Sequence, residues 1–349
     1  MPTPGDFSCA ELFSVKAKTE EIWADNAANS DYVAHVESAR AVIGEQSANI
    51  NGLLNDPAKD RKVQVEWIEQ CDMTPQDCTD QCGFPNQNQA QANCKEYEID
   101  QCKEVSFTIS DEVFRTSSFS RDEVLAKQLL KADKALSENL ARAIVAAVDS
   151  FAGVNQLTDG IGTVQGNTTY VGASYWTPDI VAYLIRTGLI NQMNNTYQLN
   201  GNNLFENSLL VNFNQDPAKV GDKNKLAAWK QYWDLFNVDS TIGAKVSYLI
   251  DRGALAVAHK ARYSSTPQTW GNGLNQTRFK MPSQNLAGLP IDIEWDIRYR
   301  TRCQGDDVFH DYVATSRYGI FQNPLNSCNE DITGILRVEC GNAPAVPAT

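Results

Sequence analysis

Three carboxylates at alternating positions, Asp292, Glu294 and Asp296, offer the plainest chemistry in this sequence. On a β-strand, residues two apart share a face, and a row of oxygens suits a hard cation and metal-dependent hydrolysis. The intervening Ile291, Ile293, Trp295, Ile297 and Tyr299 are apolar. A simpler reading is therefore the wet face of an amphipathic strand, neutralised by Arg298 and Arg300.

The other reactive residues are scattered. The three histidines, His35, His259 and His310, accompany no Gly-x-Ser-x-Gly elbow and no His-x-x-x-His spacing, so structural or surface roles fit them best. Gly160, Gly162 and Gly166 miss the dinucleotide fingerprint by one position and follow a helical pattern rather than a strand. No Gly-Lys-Ser/Thr phosphate loop is present, and nucleotide binding is rejected. Nothing here resembles an active site.

Cysteine is abundant, with nine residues, five of them in one stretch: Cys71, Cys78, Cys82, Cys94 and Cys102. Thiolates are good zinc ligands, but intervals of six, three, eleven and seven residues give no Cys-x-x-Cys pair. Disulfides formed in an oxidising medium, or free thiols, are the other readings. A Cys71–Cys94 bond would staple two strands where a loop begins. The odd total leaves at least one cysteine outside any intrachain pair.

The elements that must position these residues are unusually extended. Residues 61–72 and 94–109 alternate with period two and read as the arms of a long β-hairpin. Val63, Val65 and Trp67 share one face of the first arm; Tyr97, Ile99, Val105 and Phe107 share one face of the second. Between them, 73–93 is rich in Gln, Asn, Asp, Pro and Gly, as an exposed tip would be. A helix follows from Ser120 to Phe151, opened by the capping pattern Ser-Arg-Asp-Glu and stopped by Gly153. Its apolar residues, Leu125, Leu129, Ala132, Leu136, Leu140, Ile144, Val148 and Phe151, step by three and four.

Elsewhere the texture is mixed. Residues 10–54 read as an extended arm with short helices. Helices are expected at Ile180–Met193, around Leu204–Leu209 and at Lys225–Phe236. Strands are expected at Leu209–Phe213, Val246–Ile250, Ala254–Ala258, around 291–299, at Val308–Thr315 and at Ile335–Cys340. A lone hairpin is marginal in water, so such elements point toward contacts supplied by neighbouring copies.

With 349 residues, 42% of them hydrophobic, the chain can bury a sizeable core. No apolar stretch is long enough to span a bilayer, and the first ten residues lack the pattern of a secretory signal, so folding in a cytosol is expected. A net charge of −13 argues against a general nucleic-acid binder.

The order of these elements resembles the major capsid proteins of tailed bacteriophages, the Hong Kong-type α+β fold shared with encapsulin shells. Local texture adds to the resemblance at Val113-Phe114-Arg115, at Tyr248 to Ala256 with its Asp251-Arg252 pair, at Val308 to Tyr312, and at Tyr318-Gly319-Ile320. It implies an N-terminal arm (1–58), an extended hairpin loop (59–112) and a peripheral domain with a spine helix (113–172). An axial α/β domain (173–288) and a peripheral return with a C-terminal tail (289–349) would follow.

A non-enzymatic protein of the virion is implied, needing no cofactor, assembling in pentamers and hexamers into an icosahedral shell around double-stranded DNA. Scaffolding, portal and decoration proteins are the implied partners; no membrane is. Cross-links in some relatives would correspond here to Lys62, Lys95 or Lys103 with Asn323 or Asn326, and the five hairpin cysteines suggest disulfide reinforcement instead. An encapsulin-like compartment and a secreted, disulfide-rich binding protein are the alternatives.

Overall fold

A computed structural model describes residues 9–26, 31–46, 62–68, 92–116, 118–153, 162–175, 180–191, 193, 195–201, 230–269, 276–305, 307–322 and 333–343. Among the described residues its longest helix is α4 (Arg121–Ser150), which follows α1 (Cys9–Asn26), α2 (Glu37–Gly44) and α3 (Asp111–Thr116). Thirty residues rising 1.5 Å each give α4 a length of about 45 Å. Ser120 caps it, its Oγ accepting the Glu123 N–H at 3.2 Å, a contribution of about 1 kcal/mol. The Glu123 carboxylate is taken by Lys127 Nζ at 3.0 Å.

The apolar stripe expected for α4 is buried from Leu125 to Val148. Its end is not set by a glycine in the left-handed region. Phe151 forms the C-cap, and the Gly153 N–H donates to Ile335 O at 3.1 Å, handing the chain to a sheet.

Two six-stranded sheets flank this helix. The first runs β10 (Gln268–Thr269), β11 (Gln276–Pro282), β12 (Glu294–Gln304), β13 (Asp307–Gln322) and β3 (Gln101–Ser110). In it β9 (Leu255–His259) pairs the far half of β13. Its inward face, with Ile109, Ile297, Tyr299, Tyr312 and Ala314, shares one core with the α4 stripe. The second sheet runs β4 (Gly162–Gln165), β5 (Thr168–Val171), β14 (Ile335–Cys340), β8 (Val246–Asp251), β6 (Thr196–Asn200) and β7 (Gln231–Trp233). Strand β8 is buried from Val246 to Ile250, as a central strand with both faces covered must be. Arg337 and Tyr248 of this sheet both reach Asp149 near the end of α4, at 2.8 and 2.6 Å.

Sheet membership does not follow chain order. Residues 276–282 pair with 294–304, while 162–171 and 335–340 join the sheet of 246–251. Helix α5 (Ile180–Ile190) ends earlier than the expected Met193. The helix expected over Lys225–Phe236 is also corrected: Gln231–Trp233 forms edge strand β7, and α6 (Leu235–Thr241) starts only afterwards. Asp234 explains the break, because its Oδ1 accepts the Asn237 N–H at 3.1 Å and begins a new helix there. The expected elements over 204–213, and residues 225–229, lie outside the described residues. Over 31–46 the N-terminal segment is folded against its own chain, with Ala39, Ala41, Val42 and Ile43 fully buried.

Candidate functional site

The hairpin forms a ribbon of its own. Strands β1 (Lys62–Ile68) and β2 (Ala92–Glu98) pair antiparallel from Lys62↔Glu98 to Ile68↔Ala92. The second arm, expected as one strand over 94–109, is divided: past Asp100 it leaves the ribbon, and β3 pairs with β13 instead. Residues 96, 98 and 100 are exposed and 97 and 99 half-buried, the alternation expected.

The ribbon's base is fastened to the first sheet. Tyr97 stacks on Phe321 with ring centres 4.3 Å apart and donates its hydroxyl to Gln322 O at 2.7 Å. Gly319 permits this approach, because a Cβ there would stand 2.7 Å from Glu98 O. In β2, Cys94 lies opposite Glu66. Cys102, in β3, carries an exposed thiol; Cys71, Cys78 and Cys82 lie outside the described residues.

The three members of the acidic row meet three different surroundings. Asp292 is exposed in the turn before β12. Glu294 pairs with Lys280 at 2.6 Å. Asp296 is 1% exposed, covered by the turn at 260–263, where it accepts the N–H of Arg262 at 2.8 Å and of Tyr263 at 3.0 Å. Burial pushes the Asp296 carboxyl up, against the pull of those bonds and of Arg317. Arg298 and Arg300 do not neutralise this row; they pair with Glu104 and Asp311. Among the described residues, no three His, Cys, Asp or Glu side chains are gathered as a metal set.

The histidines are structural. His35 stacks on Phe236 at 4.7 Å. His259 is buried edge-on to Trp295 at 5.3 Å, and burial lowers its pKa to about 3. His310 is buried between Tyr299 Oη (2.8 Å) and Asp111 Oδ1 (2.7 Å), tying α3 to β12; its partner is not the adjacent Asp311. Gly162 and Gly166 belong to the β4–β5 hairpin, where Gln165 pairs Thr168 across a two-residue turn and Gly166 has φ 59°.

Two hubs escaped the sequence reading. Asp133, on the buried face of α4, accepts Trp295 Nε1 and Ser283 Oγ at 2.6 Å, Asn285 Nδ2 at 2.9 Å, and the N–H groups of Gln284 and Asn285 at 3.1 and 3.2 Å. Asn285 in turn accepts the Ala34 N–H at 2.7 Å, so this carboxylate fastens the N-terminal segment to the long helix. The signal was an acid inside an apolar stripe, between Leu129 and Leu136. Glu45 is the second hub, meeting Lys230, Tyr232 Oη (3.0 Å) and Arg252 Nε (2.6 Å). Burial alone would raise its carboxyl; the three bonds outweigh it and hold it below the usual range. Tyr232 is pushed up to about 12 by burial and by Glu45.

No known family's sequence model matches this chain, and no curated protein sequence matches it. Among solved structures, a chain of Mycobacterium phage Che8 is similar at 13% identity and TM-score 0.47, over 84% of this chain and 89% of that one. A chain of the Cyanophage A-1(L) capsid asymmetric unit is similar at 10% identity and TM-score 0.48, over 86% and 94%. One from the capsid of a native GTA particle is similar at 12% identity and TM-score 0.41, over 81% and 86%.

Proposed function

We propose that this chain is a shell-forming structural protein, the major capsid subunit of a tailed-phage-type virion. Its copies would gather as pentamers and hexamers into an icosahedral shell around double-stranded DNA. The observation that carries this reading is the β1–β2 ribbon. It is a two-stranded sheet of its own, joined at Tyr97 and Gly319 to a subunit whose long helix and two sheets form a continuous core. A free two-stranded ribbon is marginal in water. A neighbouring copy supplies the surface it needs, and many modest interfaces around one subunit add up multivalently.

The division into arm (1–58), hairpin (59–112), helix-bearing peripheral part (113–172), axial part (173–288) and return (289–349) belongs to the same proposal. So does reinforcement through thiols at Cys71, Cys78, Cys82, Cys94 and Cys102, and so do contacts with scaffolding, portal and decoration proteins. The test is a chain in which 73–91 is replaced by a short Gly-Ser turn. Its melting should match the parent, since both paired strands of the ribbon, Lys62–Ile68 and Ala92–Glu98, are kept, while shells seen by electron microscopy should be lost. Normal shells from the shortened chain contradict the role given to the ribbon.

A further inference from the structure

The outward face of the first sheet carries a charge pattern opposite to that of the whole molecule. Arg278 on β11 and Arg298, Arg300 and Arg302 on β12 line a cleft of about 580 Å³ with Ser106 and Thr108 of β3. Arg278 and Arg298 stand directly opposite each other across the β11–β12 ladder, where like charges repel. Glu104 answers Arg298 at 2.7 Å, and a single Asp311 oxygen answers both Arg300 and Arg302, at 3.0 and 2.9 Å. Among the described residues, two carboxylates thus face four guanidinium groups. Arg278 has a Gln268 Oε1 contact at 3.4 Å and the Tyr263 ring at 5.3 Å. Its buried Nε has no acceptor among the described residues.

We infer that this arginine cleft receives carboxylates from a second copy of the chain. Each guanidinium presents five donors in a fixed fork, suited to a carboxylate. The chain is itself a source of that chemistry, with 43 acidic residues against 30 basic ones. A nucleic-acid strand fits less well. The net charge of −13 repels a polyanion at long range, and Glu104 and Asp311 stand among the arginines where a run of phosphates would lie. The inference rests on the shell reading above and gives it a receptor surface.

The deciding variant is Arg278→Glu in the full chain. Among the described residues, Arg278 is the least engaged of the four cleft arginines, so the circular-dichroism spectrum and melting midpoint should stay at the parent values. The concentration needed for assembly, followed by light scattering, should rise at least tenfold, with Arg278→Lys retaining part of the parent behaviour. If Arg278→Glu melts early, Arg278→Gln gives the same readout without a new charge. Assembly of folded Arg278→Glu at the parent concentration overturns the inference and leaves the shell reading standing. A parent chain that never assembles overturns both. A short DNA duplex that binds the parent and not the variant, with assembly unchanged, assigns the cleft to nucleic acid and equally overturns it.

Discussion

Between about pH 6.5 and pH 5, above the carboxylate range, acid should weaken this subunit through His259. Its side chain is buried in β9 beside Trp295, with no partner for either ring nitrogen among the described residues. Burial lowers its pKa from 6.5 to about 3, while in the unfolded chain it returns to the ordinary value. The folded state therefore refuses a proton that the unfolded state accepts. Stability is intact above about pH 6.5 and falls by about 1.4 kcal/mol for each pH unit below it, down to the folded value. At about pH 5 the loss is about 2 kcal/mol, and it depends only on the folded value lying well below 5.

Urea unfolding of the dissociated subunit near pH 7.5 and near pH 5 measures this, with His259→Leu as the comparison. The substitution roughly conserves volume and should change stability near pH 7.5 by no more than about 1 kcal/mol. Glu45 and Asp311 are held low and lose stability only as the pH falls through the carboxylate range. Burial raises Asp251 and Asp296, which relax on acidification. All four are common to both proteins, so the difference in pH dependence isolates His259. Equal losses in the parent and in His259→Leu would show that His259 does not carry the acid sensitivity.

Three further outcomes are expected. Asp133→Ala strands the Trp295 indole and two backbone N–H groups and takes one of two acceptors from the Asn285 amide, and should cost about 4 kcal/mol or more in urea unfolding; a loss under about 1 kcal/mol would dismiss the hub. Gly319→Val places a side chain against Glu98 O at the ribbon's base, costing about 1–3 kcal/mol, and limited proteolysis should then cut the ribbon faster than in the parent. In the native, reduced protein a thiol reagent should label Cys102 and Cys303, which are exposed, while Cys340, which is buried, reacts only after unfolding.

What the sequence made legible was what depends on neighbours in the chain. The stripe of α4 and its Ser120 cap are local, and so is the alternation along β12 and β2. The second hairpin arm was read too long because its division near Asp100 is decided by β13, about two hundred residues away, which offers β3 a better partner than β1 does. Trp233 and Phe236 kept helical spacing with Leu226 and Trp229, yet Asp234 capped a new helix between them. Asp296 was misjudged for a similar reason. Nothing near Asp296 in sequence announces the 260–263 turn whose N–H groups bury it. At the ribbon, the alternation of residues announced two strands, but their register and the anchoring by Tyr97 and Gly319 needed the fold.

Electron microscopy of the recombinant protein alone, paired with its mass by light scattering, decides whether copies of this chain build a shell. Closed shells, or rings of five and six subunits, with masses in multiples of 38.6 kDa, are expected. A stable monomer that stays monodisperse as concentration rises would contradict the shell reading, because the ribbon would then need no neighbouring copy.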